Sequence, residues 1–308
     1  ELIASYNPSN PSSSQELLRK IETQFALTVE QLDQADVLRS IKLGELRQLQ
    51  ADCAGAVYEA IAERPYYSVA DSVRLTASAF ARTGTLSDQT IALGPWADQG
   101  FPTQRDVKER TELVIKALPL IDQPFWLTSA HGNMYDIPAN YSGIMPATET
   151  GMAFDFGGTG RVLDGPTFAH TDLYHKWVDR VDGERIRPVY VTPVASIVPE
   201  RNTWLIQELG SSINVDVVAL TDNLIGTLAC SAPKGWIVTP PSVGIEGMKR
   251  DERRTFTFQH TGSNKPEPGM LQFLFTSADG QSKSNKTLHE IDYPHIMPQV
   301  YYTPAEVK

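Results

Sequence analysis

The chain has 308 residues, of which 41% are hydrophobic and 21% charged, and it carries a formal net charge of -10 at pH 7. This length favours two or three domains, and this composition is typical of a folded globular protein. The acidic balance, with a pI near 5.1, argues against nucleic acid and anionic membranes as partners, because both are bound through clustered lysine and arginine.

The amino-terminal part predicts a linker and a helical arm, together residues 1–64. The opening residues show neither the basic nor the apolar region of a signal peptide, and the chain begins with Glu1 rather than methionine. We therefore expect a processed or excised chain whose targeting signal lies upstream of Glu1. An Asn, Pro and Ser cluster at 7–14 predicts the linker. No run of about 18 uncharged apolar residues occurs, so no membrane-spanning helix is predicted.

Two helices are predicted in the arm. The first begins with a capping box formed by Ser13 and Glu16. Apolar residues then recur at helical spacing: Leu17, Leu18, Ile21 and Phe25. The second helix begins near Thr28 and is predicted to run to Arg64 and Pro65, because proline cannot continue a helix. Its predicted apolar face consists of Leu46, Leu49, Cys53, Val57 and Ile61.

Beyond Pro65 the sequence pattern becomes that of β-strands. Residues 73–80 alternate in character with a period of two. Further strand candidates, each bounded by Gly, Pro, Asn or Asp clusters, are 90–93, 111–118, 151–156, 162–163, 173–178 and 187–191. Because no helical pattern separates these strands, residues 65–192 predict an antiparallel β-sandwich.

A second series of strands follows the first. Its candidates are 213–220, 226–231, 255–259, 271–276 and 289–293. They predict a second sandwich over residues 193–308. The predicted fold class is therefore mainly β, with a short N-terminal helical segment followed by two antiparallel, immunoglobulin-like β-sandwich domains.

Familiar catalytic motifs are missing from the sequence. It contains no HExxH, CxxC, GxSxG or Walker-type glycine loop. The run FGGTG at 156–160 predicts a hairpin turn rather than a nucleotide site, because no helical pattern follows it. Among the 37 acidic residues, no pair stands out as the carboxylate pair of a glycoside hydrolase. We therefore predict no catalytic residue and no cofactor in this chain, while a hydrolase with acidic catalysts at a sandwich edge stays open as an alternative.

Two clusters have the composition of metal sites. The first is His170, Asp172 and His175. Its histidines are five residues apart and point to opposite faces of a strand. The second, with oxygen ligands suited to calcium, is Asp179, Asp182 and Glu184. Its alternation with arginines instead predicts a charged hairpin around Gly183, so no metal site is predicted. The histidines without a matched partner are His131, His260, His289 and His295.

The two cysteines, Cys53 and Cys230, show no metal-ligand spacing. They lie on segments of different character. We predict that both are buried, small hydrophobic side chains without a disulfide.

Aromatic residues point to a binding site. A flat aromatic face on a sandwich can stack against a sugar ring, while neighbouring polar side chains bind its hydroxyls. The candidate glycan-binding residues are Trp96, Trp126, Tyr135 and Trp204. Trp177 and Trp236 lie on strand-like segments, so we predict that they are core residues.

Three stretches of the chain carry a resemblance to a known family. The first is IKLGELRQLQADCAGAVYEAIAERPYYSVADSVRLTASAFAR at 41–82. The second is PFWLTSAHGNMYDIP at 124–138 with YHKWVDRVDGERIRPVYVTPV at 174–194, and the third is IDYPHIMPQVYYTPAEVK at 291–308. These stretches resemble the C-terminal portion of the large PIG-L/LmbE-like deacetylases of the Bacteroidetes type. In addition, APKGWIV at 232–238 resembles a NEW3-type sandwich.

The resemblance implies that this region belongs to a larger enzyme. The family's catalytic domain is Rossmann-like and binds zinc through a PHPDD-type motif and a later HxxH, and this chain contains neither motif. The implied parent is an N-acetylglucosaminyl deacetylase, periplasmic, extracellular or on the cell surface, with its zinc-bearing domain N-terminal in the same chain. This region would be a non-catalytic accessory part that packs on that domain or presents it to a glycan. Glycan binding by the region itself is expected from its aromatic residues. The alternatives are a free-standing carbohydrate-binding or adhesin-like module and a structural spacer.

Overall fold

The computed structural model describes residues 2–29, 36–69, 71–82, 89–92, 98–101, 109–116, 121, 134, 153–158, 167–204, 211–261 and 269–308. These residues form a mainly β structure with few helices and several antiparallel sheets, which confirms that the fold is mainly β. They divide into two compact units that alternate along the chain. The first unit lies within Glu1–Glu63, Val73–Ile115 and Met152–Ile186, and the second within Arg64–Ser72, Lys116–Gly151 and Arg187–Lys308.

The helices all lie near the N-terminus of the described part. They are α1 Leu2–Ser5, a 3-10 helix Pro11–Ser14, α2 Gln15–Val29 and α3 Asp36–Ala54. None of these described helices combines the length and apolar character that a membrane crossing requires. Ser13 lies inside the 3-10 helix and its hydroxyl donates to the Asn10 carbonyl oxygen at 2.8 Å, so it does not cap α2 as predicted.

Helix α3 is shorter than predicted. It ends at Ala54, and residues 56–62 form a strand, so the helix prediction was wrong there. Gly55 causes the change, because its φ of +62° lies in the left-handed region that glycine adopts readily. The Gly55 N–H donates to the Asp52 carbonyl oxygen at 3.0 Å, and the Gly55 carbonyl oxygen accepts from the Arg82 N–H at 3.2 Å. Val57, predicted on the apolar helix face, is 55% exposed.

The described residues contain 21 strands, which overlap every predicted strand candidate except 162–163, a stretch outside the described residues. The strands before residue 190 are β1 Ala56–Ala62, β2 Tyr66–Ser68, β3 Ser72–Ala81, β4 Gln89–Ala92, β5 Asp98–Phe101, β6 Glu109–Lys116, β7 Ala153–Gly158, β8 Thr167–Asp179 and β9 Gly183–Pro188. The later strands are β10 Tyr190–Thr192, β11 Ala195–Pro199, β12 Ser212–Ala219, β13 Leu224–Ser231, β14 Val238–Thr239, β15 Ser242–Met248, β16 Arg253–His260, β17 Leu271–Ser277, β18 Lys283–Ser284, β19 Lys286–Ile291, β20 Gln299–Pro304 and β21 Glu306–Val307.

The first unit contains one eight-stranded sheet. Its order is β5-β4-β7-β8-β1-β3-β6, with β9 paired to β8. Strand β1 pairs antiparallel with β3 and parallel with β8. Helix α3 packs against β1 and β8, and α2 packs against α3. The side chains buried in this unit include Leu18, Ala51, Ala60, Val73, Leu75, Ala77 and Leu173.

The second unit is a β-sandwich. One sheet has the order β11-β12-β16-β14, and the other has the order β15-β13-β17-β18 with β21 paired to β17. Strand β12, predicted at 213–220, alternates in burial, with Ile213, Val215 and Val217 fully buried. Phe258 of the first sheet packs against Phe273 of the second, with ring centroids 5.4 Å apart. One cluster of buried side chains therefore joins the two sheets.

A two-stranded ribbon, β19 with β20, belongs to the same unit. It is tied to β11 by side-chain hydroxyls rather than by a ladder of backbone hydrogen bonds. The Thr287 hydroxyl donates to the Ile197 carbonyl oxygen, and the Ser196 hydroxyl accepts from the Leu288 N–H at 2.9 Å. The Ser284 hydroxyl just before the ribbon donates to the Ala195 carbonyl oxygen at 2.6 Å.

A buried carboxylate holds the segment that contains β2 in the second unit. The side chain of Asp71 is 8% exposed and accepts from Arg250 at 2.5 Å, from the Thr221 hydroxyl at 2.7 Å and from the Ser68 N–H at 2.9 Å. Burial by itself raises the pKa of this carboxyl, but the three hydrogen bonds and the charge of Arg250 together lower the pKa below its ordinary value. Asp71 is therefore a charged structural residue.

A substitution at Gly226 tests the packing between strands of the sandwich. A Cβ at this position would lie 2.2 Å from the Thr276 carbonyl oxygen and 2.6 Å from the ring of Phe275. We expect Gly226→Ala to lower the free energy of unfolding by roughly 1–3 kcal/mol, because the adjacent strand must move. Gly244→Ala on the neighbouring strand is the matched control, since no atom lies within 4 Å of its Cβ position. Urea denaturation measures the free energy of unfolding of both variants. Equal values for Gly226→Ala and Gly244→Ala would contradict the close packing at Gly226.

Asp71→Asn tests the buried ion pair. We expect it to lower the free energy of unfolding by about 3 kcal/mol at pH 7, because the Arg250 guanidinium, with 14% of its side chain exposed, loses its buried carboxylate partner and keeps only the exposed carboxylate of Asp222 at 3.5 Å. A lowered pKa means that the wild type loses this stabilisation as the pH falls below the ordinary Asp value of 3.8. The difference in the free energy of unfolding between wild type and variant should therefore become smaller at acidic pH. Urea denaturation between pH 7 and pH 3 measures this, with the exposed Asp292→Asn as the control. A difference in the free energy of unfolding that stayed constant with pH would contradict the charged pair.

Candidate functional site

Of the four predicted glycan-binding aromatics, the described residues include Trp204. Trp96, Trp126 and Tyr135 lie outside them. Trp204 is 6% exposed and packs in the sandwich core against Trp236, with ring centroids 6.4 Å apart and the planes at 61°. Its backbone N–H donates to the Lys308 carbonyl oxygen at 2.8 Å, which fixes the residue in the core. Trp204 therefore offers no open face to a sugar, which corrects its assignment as a glycan-binding residue.

The two tryptophans predicted as core residues differ from each other. Trp236 is half-buried and packs against the core and against His260, with ring centroids 4.8 Å apart. Trp177 is 36% exposed and stacks on His175, with ring centroids 5.6 Å apart. It lies near the end of β8, where the strand continues into the β8–β9 hairpin. The core prediction was wrong for Trp177.

The acidic cluster near Gly183 forms the predicted charged hairpin. Strands β8 and β9 pair around Gly183, whose φ is +79°. The Asp179 carboxylate accepts from the N–H groups of Val181 and Asp182 at 2.7 and 3.0 Å, and these two hydrogen bonds lower its pKa. Asp182 pairs with Arg185, and Glu184 pairs with Lys176 at 2.8 Å. The carboxylates thus face cationic side chains or backbone donors.

The histidine cluster lies on one strand, which is longer than the predicted strand at 173–178. His170, Asp172 and His175 all belong to β8. The His175 Nδ1 donates to the Ala62 carbonyl oxygen at 3.1 Å, a contact that supports the β1–β8 pairing. No group of three or more His, Cys, Asp or Glu side chains within the described ranges is arranged to hold a metal ion.

Both cysteines are free and half-buried. Burial raises the pKa of Cys53, and it raises the pKa of Cys230 to about 12. A thiol with such a pKa stays protonated and is a poor nucleophile. Cys230 is therefore a poor candidate for a nucleophile.

The second unit contains a cavity of about 600 Å³ at the ribbon. Its polar and aromatic lining residues include Asn202, Thr287, His289, Tyr301, Thr303, Glu306 and Lys308. A volume of this size lies within the range of about 300–1,000 Å³ that small-molecule sites occupy. We therefore treat this cavity, named here the ribbon cavity, as the candidate functional site.

The alternation of the ribbon strands places these side chains in the cavity. In the antiparallel pairing, Thr287 is opposite Thr303 and His289 is opposite Tyr301, and all four residues line the ribbon cavity. Residues directly opposite each other in antiparallel strands lie on the same face. Leu288 and Tyr302, the pair between them, therefore lie on the other face, in a hydrophobic cluster.

The other face of the ribbon is held by aromatic and ionic contacts. The cluster there contains Tyr190, Val300 and Tyr302, with Tyr66 and Leu288 packed against it. Arg187 lies over the Tyr66 ring at 5.0 Å, donates to its hydroxyl at 2.5 Å and pairs with Glu290. Burial raises the pKa of Tyr66 above its ordinary value. These contacts fix the orientation of the ribbon from behind the cavity.

The aromatic pair in the ribbon cavity has a defined geometry. The rings of His289 and Tyr301 are nearly parallel, with centroids 4.7 Å apart and the planes at 16°. The His289 Nε2 and the Thr303 hydroxyl share a hydrogen bond of 2.8 Å. Across the cavity, the Lys308 N–H donates to the Asn202 carbonyl oxygen at 3.0 Å, which fixes the wall that carries the Asn202 amide. The cavity thus offers flat rings beside hydroxyl, amide and carboxylate groups.

Sequence reasoning missed this site. His289 was grouped with the histidines that have no partner, and Tyr301 was not among the candidates, yet the two residues are a cross-strand pair. The available signal was the alternation in 299–304, where Val300 and Tyr302 are apolar positions separated by Tyr301. Only the register of the ribbon shows which residue of β19 is opposite Tyr301.

No protein family model matches the chain, and no curated protein matches it significantly. The resemblance to the PIG-L/LmbE-like deacetylases stays a prediction.

Trp204→Ala separates a core role from a surface role. We expect it to lower the free energy of unfolding by roughly 3–5 kcal/mol, because it removes a buried aromatic side chain. Trp177→Ala, at the exposed tryptophan of β8, should cost about 1 kcal/mol. Urea denaturation of both variants measures the difference. A Trp204→Ala variant as stable as the wild type would contradict the placement of this residue in the core.

Proposed function

We propose that this chain is a non-catalytic accessory region of a larger zinc-dependent N-acetyl-sugar deacetylase and that it binds glycan in the ribbon cavity. The observation that carries the glycan proposal is the stacked pair of His289 and Tyr301 in a cavity that also contains Asn202 and Thr303. The deacetylase part of the proposal is supported by the sequence resemblance at 41–82, at 124–138 with 174–194, and at 291–308. The zinc of that enzyme would be bound by its catalytic domain, since this chain has neither of the family's zinc motifs.

The chemistry of the ribbon cavity suits a neutral sugar. Aromatic faces contact the C–H groups of a sugar ring, and a few placed polar groups bind its hydroxyls. Tyr301 provides the aromatic face beside the Thr303 hydroxyl. The Thr287 hydroxyl is already bonded to the Ile197 carbonyl oxygen. The Asn202 amide both donates and accepts, as sugar hydroxyls require. The cavity therefore contains both kinds of contact that sugar recognition needs.

The lining of the ribbon cavity favours binding over hydrolysis. Glycoside hydrolysis generally uses a pair of carboxyl groups that flank the bond to be broken. Among the described residues that line this cavity, Glu306 is the only one with a carboxylate side chain. This arrangement supports an accessory role rather than the alternative of a hydrolase with its own acidic pair.

Calorimetric titration with N-acetylglucosamine oligosaccharides tests the proposal. We expect Tyr301→Ala to weaken the affinity about tenfold, because it removes the stacking face. Tyr293→Ala is the matched control, because this residue also stacks on a histidine, His295, but is 57% exposed and does not line the cavity. The Tyr293→Ala variant should bind the oligosaccharides with wild-type affinity. Circular dichroism should show that both variants keep their fold.

Two outcomes would contradict the proposal. Binding that is absent from the wild type, or that Tyr301→Ala and Tyr293→Ala weaken equally, would rule out the ribbon cavity as the glycan site. Release of acetate from these oligosaccharides by the 308-residue chain supplied with zinc would rule out the non-catalytic role.

A further inference from the structure

A second, smaller cavity adjoins the ribbon cavity. It has a volume of about 240 Å³, and its lining includes Ser231, Gln272, Leu274 and Asn285. Pro304 and Glu306 line both cavities, so the two are neighbours. We name this smaller cavity the side cavity.

The wall between the two cavities is held in place by backbone hydrogen bonds. The Ala305 N–H donates to the Asn285 carbonyl oxygen at 2.8 Å, and the Ala305 carbonyl oxygen accepts from the Phe273 N–H at 3.0 Å. Glu306 is opposite Gln272 in the antiparallel pair of β21 and β17. The residues that separate the cavities are therefore part of the sheet, and Glu306 has a fixed place at their border.

The two cavities share their chemistry. The side cavity presents the Gln272 and Asn285 amides and the Ser231 hydroxyl beside the apolar side chain of Leu274. Among the described residues that line it, Glu306 is the only one with a formal charge. Neutral amides and hydroxyls beside an apolar surface match a neutral, polyhydroxylated ligand.

The sizes of the cavities assign them different roles. Sites for complete small ligands have volumes of about 300–1,000 Å³. The ribbon cavity, at about 600 Å³, reaches this range, whereas the side cavity, at about 240 Å³, does not. The side cavity is thus too small for an independent site and suits one further unit of a ligand that is already bound next to it.

We infer that the ribbon cavity and the side cavity are consecutive subsites for one extended ligand, an oligosaccharide chain that passes Pro304 and Glu306. This inference rests on the proposed glycan-binding function and names the ligand class more closely. The ribbon cavity binds one part of the chain through Tyr301. The side cavity binds the adjoining part through Gln272.

Titration of the 308-residue chain with N-acetylglucosamine, its disaccharide and its tetrasaccharide tests the inference. We expect the tetrasaccharide to bind about tenfold more tightly than the monosaccharide, because only the longer ligand fills both cavities. Gln272→Ala should remove most of this gain and leave the affinity for the monosaccharide unchanged. Gln272 is exposed, so the variant should fold. Gln259→Ala, at an exposed glutamine on β16, is the matched control and should keep the full gain.

The outcomes distinguish the inference from the function on which it rests. Equal affinities for all three sugars, or a Gln272→Ala variant that keeps the full gain, would overturn the two-subsite inference and leave the ribbon cavity as a site for a single sugar. No binding of any sugar would contradict the proposed function, and the inference would fail with it.

Discussion

The candidate site depends on one constraint, the alternation of side chains in the β19–β20 ribbon. Because opposite residues of an antiparallel pair share a face, His289 and Tyr301 enter the cavity together only if Leu288 and Tyr302 lie on the other face. A shift of one residue in the register would reverse both faces. The apolar cluster around Tyr190 favours the observed register, because a reversed ribbon would place Leu288 and Val300 in the polar cavity.

A ribbon of two strands is marginally stable by itself, so the rest of the unit must hold it. The hydroxyls of Thr287 and Ser196 connect it to β11 in place of a backbone ladder. Arg187 and Tyr66 hold it from the other face, and Asp71 anchors the segment that carries Tyr66. A site whose rings are fixed before a ligand arrives loses less conformational freedom on binding.

The sequence predicted a strand well where buried and exposed residues alternate regularly. It did not distinguish a helix from a strand where the spacing of apolar residues fits both. Strand β12 alternates strictly, and its buried positions follow from the sequence. Val57 and Ile61 are four residues apart, and this spacing places two residues on one face in a helix and in a strand alike. Gly55 was the better indicator, because glycine commonly ends a helix. The candidate site was harder to predict from the sequence, because the pairing of His289 with Tyr301 depends on a register that no local pattern specifies.

The charge of the chain also bears on the class of ligand. A protein with a net charge of -10 repels anions at a distance unless a local basic patch reverses the field. The ribbon cavity has no such patch among its described residues, because Lys308 is offset by Glu306. Neutral ligands are insensitive to this field, and they are recognised through hydrogen bonds and flat contacts at short range. The balance of one acidic and one basic side chain around two stacked rings therefore supports the proposed neutral, hydroxyl-rich ligand over a phosphorylated or carboxylated one.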